Sequence, residues 1–327
     1  MIDLRRRSAT IAVAGVAALM VAFVGPAALA AGHVSHFDLK GDANRPYSIV
    51  TGPDGNLWFT ESDGNAIGRI KPDGTLRRFR LDTAGSEPYG ITVGPDGNLW
   101  FTERLSNRIG VIDTSGTVLA EYDLPTQDAQ PWDIALGGDG ALWFTEENVD
   151  QLGRITVNGS ITEHPLNVGT FPTGIAADAK GKVWFTEEIG NVIGRINANK
   201  PNAFLTLKLF QVPTDGALPW DISPGPDGAM WFTELAGHNI GRIGAKGTIK
   251  EFPVPGESGI AGITAGPDGN LWFTQNDIAQ VGTMTPHGQL GKTYPTRPYP
   301  FGITAGPDGA IWFCEGYGDS IGRIALS

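Results

Sequence analysis

Seven tryptophans, Trp58, Trp100, Trp143, Trp184, Trp231, Trp272 and Trp312, recur along the chain, and three residues beyond each stands Glu61, Glu103, Glu146, Glu187, Glu234, Gln275 or Glu315. Six carboxylates at matched positions form an acidic ring if the repeats surround an axis. Neighbouring carboxylates about 7 Å apart repel by roughly 2 kcal/mol at an effective dielectric of 20, so an unpaired ring attracts a cation or a basic ligand. Glu103, Glu146, Glu187, Glu234 and Glu315 are thus the candidate metal ligands. A structural reading competes with this one. Arg69, Arg154, Arg195, Arg242 and Arg323 also recur at matched positions, within hairpin reach of those glutamates, and the sixth repeat has both Gln275 and Thr283 in place of the pair.

A second matched position, the residue after Pro at the start of strand A, reads Tyr47, Tyr89, Trp132, Thr173, Trp220, Ala261 and Phe301. Trp132, Trp220 and Phe301, with Tyr299 two residues upstream of the last, could stack on a planar or cyclic ligand. The same rings could instead fill a central channel. Asp133 and Asp221 follow two of these aromatics and are placed to bond nearby backbone. Of the histidines only His238, close to Glu234 in a loop, is a candidate acid or base. Cys314 replaces the Thr of Trp-Phe-Thr-Glu and reads as a buried, inert thiol. There is no Gly-rich phosphate loop, zinc spacing or nucleophile elbow.

The elements that must hold these residues follow from the repeat. The tryptophans lie 42, 43, 41, 47, 41 and 40 residues apart, a period that means a solenoid, propeller or array. Each unit reads as four short strands: A of the Tyr89-to-Val93 type, B of the Leu99-to-Thr102 type, C of the Ile67-to-Ile70 type and D of the Arg77-to-Leu81 type. Gly94-Pro95-Asp96-Gly97 between A and B fits a type I turn. The 47-residue interval is explained by an insertion, Asn197 to Asn202, at the C–D turn of the fourth unit. The last unit ends after strand C, while Val34 to Leu39 near the N-terminus resembles a D strand. An all-β, seven-bladed propeller of four-stranded antiparallel blades is expected, closed by that N-terminal strand, which removes an open sheet edge. The variable D–A and B–C loops share one face, where binding is expected.

Composition agrees. With 46 Gly, 23 Pro and 18% charged residues among 327, a helical bundle is excluded, and a net charge of −11 disfavours nucleic acid or anionic membranes as partners. Residues 1–30 have the layout of a secretory signal peptide, with Arg5, Arg6 and Arg7, an apolar run and Ala28-Leu29-Ala30. A secreted, monomeric, single propeller domain over residues 31–327 is the expectation, with no membrane association after cleavage. One cysteine allows no intrachain disulfide.

The repeated wording Gly-Pro-Asp-Gly-Asn-Leu-Trp-Phe-Thr-Glu, followed by Ile-Gly-Arg-Ile, resembles the virginiamycin B lyase (streptogramin B lyase) family over residues 34–327. The resemblance implies a seven-bladed propeller that uses Mg²⁺ and a histidine base to open a cyclic depsipeptide antibiotic by elimination at its ester. It places histidines at Ala261 and Phe301, a carboxylate at Tyr299, and a second metal carboxylate at Gly316, next to Glu315. A rotated copy of that site could use Glu87, Tyr89 and Tyr47, with Mg²⁺. The favoured expectation is a propeller binding a small molecule or protein on its aromatic, acidic face. The alternatives are a divergent Mg²⁺-dependent carbon–oxygen lyase and a metal-dependent hydrolase or lactonase.

Overall fold

The computed structural model describes residues 32–41, 44–256 and 259–326, so the expected signal peptide lies outside the described residues. Each repeat forms a four-stranded antiparallel sheet, seven in all. The second blade is typical: strand A is Pro88–Val93, B is Leu99–Glu103, C is Arg108–Ile112 and D is Val118–Asp123. The seventh blade takes its outermost strand from the N-terminal side, where Val34–Asp38 pairs antiparallel with Ser320–Ile324, Val34 opposite Ile324 and Asp38 opposite Ser320. The ring closes as the repeat count requires.

The core is divided among seven seams between neighbouring blades. One seam packs Trp100 and Ile109 of the second blade against Leu142, Phe144 and Ile155 of the third. At the axis the A strands meet so closely that a Cβ on Gly90 would stand 2.7 Å from the Cα of Asp133 in the next blade. Glycine is required there by the approach of backbone to backbone.

A bulge in every strand A makes room for a second device. Pairing of A with B slips between Pro88 and Ile91, which takes Tyr89 and Gly90 out of the ladder. The Thr102 hydroxyl fills in: it accepts from the Gly90 N–H (2.9 Å) and donates to the Trp132 carbonyl of the next blade (2.9 Å). Thr60, Thr145, Thr186, Thr233 and Thr274 repeat this link across five further seams. In the seventh blade Cys314 occupies the position, fully buried.

The tight A–B turns are fixed from the opposite end. Asp96 accepts from the indole N–H of Trp100 (3.0 Å), and its counterparts do the same in the other Gly-Pro-Asp-Gly turns. The strand C arginines bind these aspartates: Arg154 Nε to Asp139 at 2.7 Å, Arg242 Nε to Asp227 at 2.6 Å and Arg323 Nε to Asp308 at 2.8 Å. Pairing with the B-strand glutamates is therefore not how these arginines are used. Arg154 stands directly opposite Trp143, with Glu146 three residues farther on, so its side chain belongs to the turn end of the hairpin.

Candidate functional site

The mouth of the channel on the D–A/B–C face is built from strained backbone. The residue before each strand A has a positive φ: Arg45 45°, Glu87 51°, Gln130 52°, Phe171 54°, Leu218 52°, Gly259 45° and Tyr299 55°. Six of these carry a side chain in a region that costs roughly 1–2 kcal/mol per residue, and all six precede a strand-opening Pro, where extended backbone is the rule. Hydrogen bonds hold them. The carbonyls of Arg45, Glu87, Phe171, Leu218, Gly259 and Tyr299 accept from N–H groups of the B–C loop at 2.9–3.1 Å, and that of Gln130 at 3.4 Å. From the other side, the last residue of the B–C loop clamps the following D–A loop: Asn65 accepts from Ser86 N–H (2.7 Å), Asn107 from Ala129 (2.7 Å), Asp150 from Thr170 (2.8 Å), Asn191 from Ala217 (3.0 Å) and Asp319 from Asn44 and Arg45 (2.9 Å each). His238 and Ala279 occupy this place in the fifth and sixth blades.

Inside the mouth the aromatic positions pack on one another. Ring centroids lie 3.9 Å apart for Tyr47 and Tyr89, 5.0 Å for Tyr47 and Phe301, 4.5 Å for Tyr89 and Trp132, and 5.5 Å for Trp132 and Trp220. Burial pushes the Tyr89 phenol up to about 12 and raises that of Tyr47 well above its ordinary value. The Arg104 guanidinium lies over Tyr89 and Trp132, at 5.6 and 5.2 Å, and binds Glu87 at 2.9 Å. Nearer solvent, Tyr299 meets Tyr317 edge-on at 4.7 Å, and Arg45 lies over Tyr317. The structure thus gathers Tyr47, Glu87, Tyr89, Trp132, Trp220, Tyr299 and Phe301 around one mouth. His238 stands three blades from Tyr89 in the ring, its N–H donating to the Glu234 carbonyl.

Next to these rings a narrow channel cavity of about 70 Å³ is lined by Ser48, Asp133, Asp221 and strand A glycines. Asp133 accepts from the N–H groups of Ile134 (2.8 Å) and Ile175 (3.1 Å), and Asp221 from those of Ile222 and Ile263 (2.8 Å each). Each carboxylate therefore ties its blade to the next. Burial raises Asp133 to about 7 and Asp221 to about 6, and the charge of Asp221 adds to the shift of Asp133. Sequence reasoning placed these two aspartates as backbone partners but missed the strained ring and the Asn/Asp clamps. A pointer existed in Asn65, Asn107, Asp150, Asn191 and Asp319, residues that tolerate left-handed backbone, at one fixed offset before each Ile-Gly or Leu-Gly.

The B-strand glutamates are buried within their own blades, facing strand D. Glu61 binds Arg78 Nε at 2.6 Å. Glu315 binds His36 Nδ1 (2.9 Å), the Ser320 hydroxyl (2.6 Å) and the Arg297 N–H (2.8 Å). Glu103 accepts from the Ser106 hydroxyl at 2.8 Å and Glu234 from the Asn239 amide at 2.7 Å. Both oxygens of Glu146 and of Glu187 are buried without a hydrogen-bond partner among the described residues. Burial pushes Glu61 and Glu187 up to about 7 and Glu146 and Glu234 to about 8, with Glu163 and Glu251 on strand D adding repulsion in the last two. Among the described residues, no three His, Cys, Asp or Glu side chains gather in a group that could hold a metal ion.

Residues 22–207 and 202–327 match the model of the virginiamycin B lyase family. A solved streptogramin B lyase is 35% identical and superposes with a TM-score of 0.84 over 92% of this chain and 99% of its own. A catalytically inactive virginiamycin B lyase from Staphylococcus aureus, crystallised with quinupristin, is also 35% identical, with a TM-score of 0.83 over 90% of this chain and 99% of that one. The virginiamycin B lyase of Bordetella bronchiseptica is 55% identical over 38 residues, a match spanning 12% of this chain and 13% of the relative's length.

Proposed function

The chain belongs to the virginiamycin B lyase family, and from that premise we propose that it is a binding member of the family that does not carry out the lyase reaction. One observation carries the reading. The two positions where the family resemblance implies proton-taking histidines hold Ala261, only 2% exposed, and Phe301, packed against Tyr47. Neither side chain can accept a proton. The residues standing for the two metal carboxylates are Tyr299, engaged with Tyr317, and Gly316, which has no side chain. Mg²⁺ does not fit that set of donors.

The rotated trio does not restore the chemistry. A Tyr89 phenol raised to about 12 stays protonated at neutral pH, and burial also raises Tyr47 well above its ordinary value, so neither is a general base there. The Glu87 carboxylate is held by Arg104. What the face does offer is contact area: exposed Leu105, Phe171, Ile189, Tyr299 and Tyr317 rim the mouth beside Arg45. Such a surface suits a bulky ligand of mixed apolar and polar character, a macrocycle or a peptide segment. The basic and apolar layout of residues 1–30 supports action outside the cytoplasm.

The test is to incubate the protein and a Glu87→Ala variant with quinupristin, with and without Mg²⁺, and to follow ring opening by mass spectrometry. Intact quinupristin under every condition is expected. Linear product from the unmodified protein overturns the proposal, and its loss in Glu87→Ala would locate the chemistry at the rotated trio.

A further inference from the structure

Five of the seven seams are closed in the same way on the face opposite the mouth, and at a sixth Gly32, just before the N-terminal strand, approaches Tyr294 less closely. The strand D aromatic of one blade lies flat on its own tryptophan, as Phe79 does on Trp58 and Tyr122 on Trp100. Its other side is covered by a glycine of the next blade's C–D turn. Gly116 covers Phe79, Gly159 covers Tyr122 and Gly247 covers Phe210, and a Cβ at any of these glycines would overlap the ring. The seam between the third and fourth blades departs from this rule. Its strand D aromatic is His164, and the turn that should cover it carries the insertion, whose short helical turn Ala203–Thr206 brings Phe204 onto the imidazole, centroids 4.5 Å apart and planes 13° apart. Trp143 lies on the other side at 6.4 Å. Beside this sandwich opens a groove of about 820 Å³, within the usual range for small-molecule sites.

We propose that this groove is a binding site for a planar aromatic anion. Its walls are apolar: Phe204 and Leu205, the last 84% exposed although it is a leucine, above the edge of Trp143, which is itself buried. Its charges do not balance. Arg154 is neutralised by Asp139 at 2.7 Å, whereas Lys200 on the rim has no carboxylate partner among the described residues. One positive charge thus stands over an aromatic groove in a chain whose net charge is −11. The His164 ring nitrogens make no hydrogen bond among the described residues and can address a ligand's polar edge. Burial, with the Arg154 charge, holds that imidazole below its ordinary value, so it is neutral at pH 7 with one donor and one acceptor. A ring would stack against Phe204 and the Trp143–His164 edge while its carboxylate reached Lys200.

The experiment is titration calorimetry of the full chain with 1-naphthoate and with its neutral isostere 1-naphthamide, repeated on Lys200→Glu and Phe204→Ala. Naphthoate is expected to bind with a Kd below about 1 mM, and naphthamide about fivefold more weakly, as suits one exposed ion pair. Lys200→Glu should weaken naphthoate by at least that factor and leave naphthamide unchanged, while Phe204→Ala weakens both. Lys200 is exposed, so its variant reports on the site even if Phe204→Ala perturbs folding. No binding of naphthoate, equal binding of the two probes, or naphthoate binding unaffected by Lys200→Glu each overturns the proposal.

Discussion

Replacing Glu146 with glutamine should stabilise the protein at pH 8 and do little at pH 5. Glu146 is fully buried with neither oxygen hydrogen-bonded, and faces Glu163 on strand D. Its carboxyl is pushed from an ordinary 4.5 to about 8, first by burial and then by the Glu163 charge. The folded state therefore holds this proton more tightly than the unfolded chain does. No stability is lost below about pH 4.5; it declines as pH rises and the loss is complete above about 8. At 1.36 kcal/mol per unit the loss is about 1 kcal/mol at pH 5, about 3 kcal/mol at pH 7 and at most about 5 kcal/mol above pH 8. Glutamine has no proton to lose, and its amide can donate to Glu163. The sixth blade already carries it: Gln275 sits at the matched position, 3% exposed. At roughly 2 °C per kcal/mol for a chain of this size, Glu146→Gln should melt about 9 °C higher than the parent at pH 8 and within about 2 °C of it at pH 5. Circular dichroism melts of both proteins at pH 5, 6, 7 and 8 measure this. A difference in Tm that is the same at every pH, or a variant less stable at pH 8, would refute the assignment of a buried, proton-holding carboxyl.

Two further substitutions test the repeated links. Cys314→Thr supplies the hydroxyl that six blades use between strand A and the next blade, and should raise stability by about 1 kcal/mol, read as a Tm about 2 °C higher. Before substitution the thiol, which burial pushes well above its ordinary value, should stay unmodified by iodoacetamide until the protein is unfolded. Asp227→Ala removes the acceptor for the Trp231 indole (3.0 Å) and the partner of Arg242 (2.6 Å), and should cost about 2 kcal/mol in a urea melt. A loss below about 0.5 kcal/mol would show that water replaces the aspartate freely.

How much of this could be read beforehand depends on whether a residue's role follows from its own repeat. The tryptophan spacing, the Gly-Pro-Asp-Gly turns and the Val34–Asp38 strand dictated seven closed blades, because strand period and turn chemistry are local. The arginine partners were misjudged for want of register. Across a tight B–C loop the last residue of B faces the first of C, so Glu146 faces Gln151, and Arg154, three residues on, reaches back to Trp143 and the Asp139 turn. The glutamates were legible as a matched set, but their direction was not: it depends on strand C glycines such as Gly110, which leave space for Phe101 and Glu103 beneath them. The aromatic set at the mouth was found in sequence, whereas its self-packing depends on five blades meeting at one axis.

The left-handed ring explains why a site on this fold can change while the fold does not. Seven residues hold a positive φ at the mouth, six of them with a side chain, and their hydrogen bonds to the B–C loops use only main-chain carbonyls. Arg45, Glu87, Gln130, Phe171, Leu218, Gly259 and Tyr299 meet the same backbone requirement with six different side chains and a glycine. The clamps that enforce the conformation, Asn65, Asn107, Asp150, Asn191 and Asp319, also address N–H groups and not side chains. A carboxylate at the Tyr299 position, or its absence, therefore leaves every one of these bonds in place. The same holds at Ala261 and Phe301, whose carbonyls accept from Thr233 (2.7 Å) and Thr274 (2.9 Å) whatever side chain they carry. The scaffold at the mouth is written in backbone contacts, so a change of side chain at these residues leaves the bonds that hold the blades together in place.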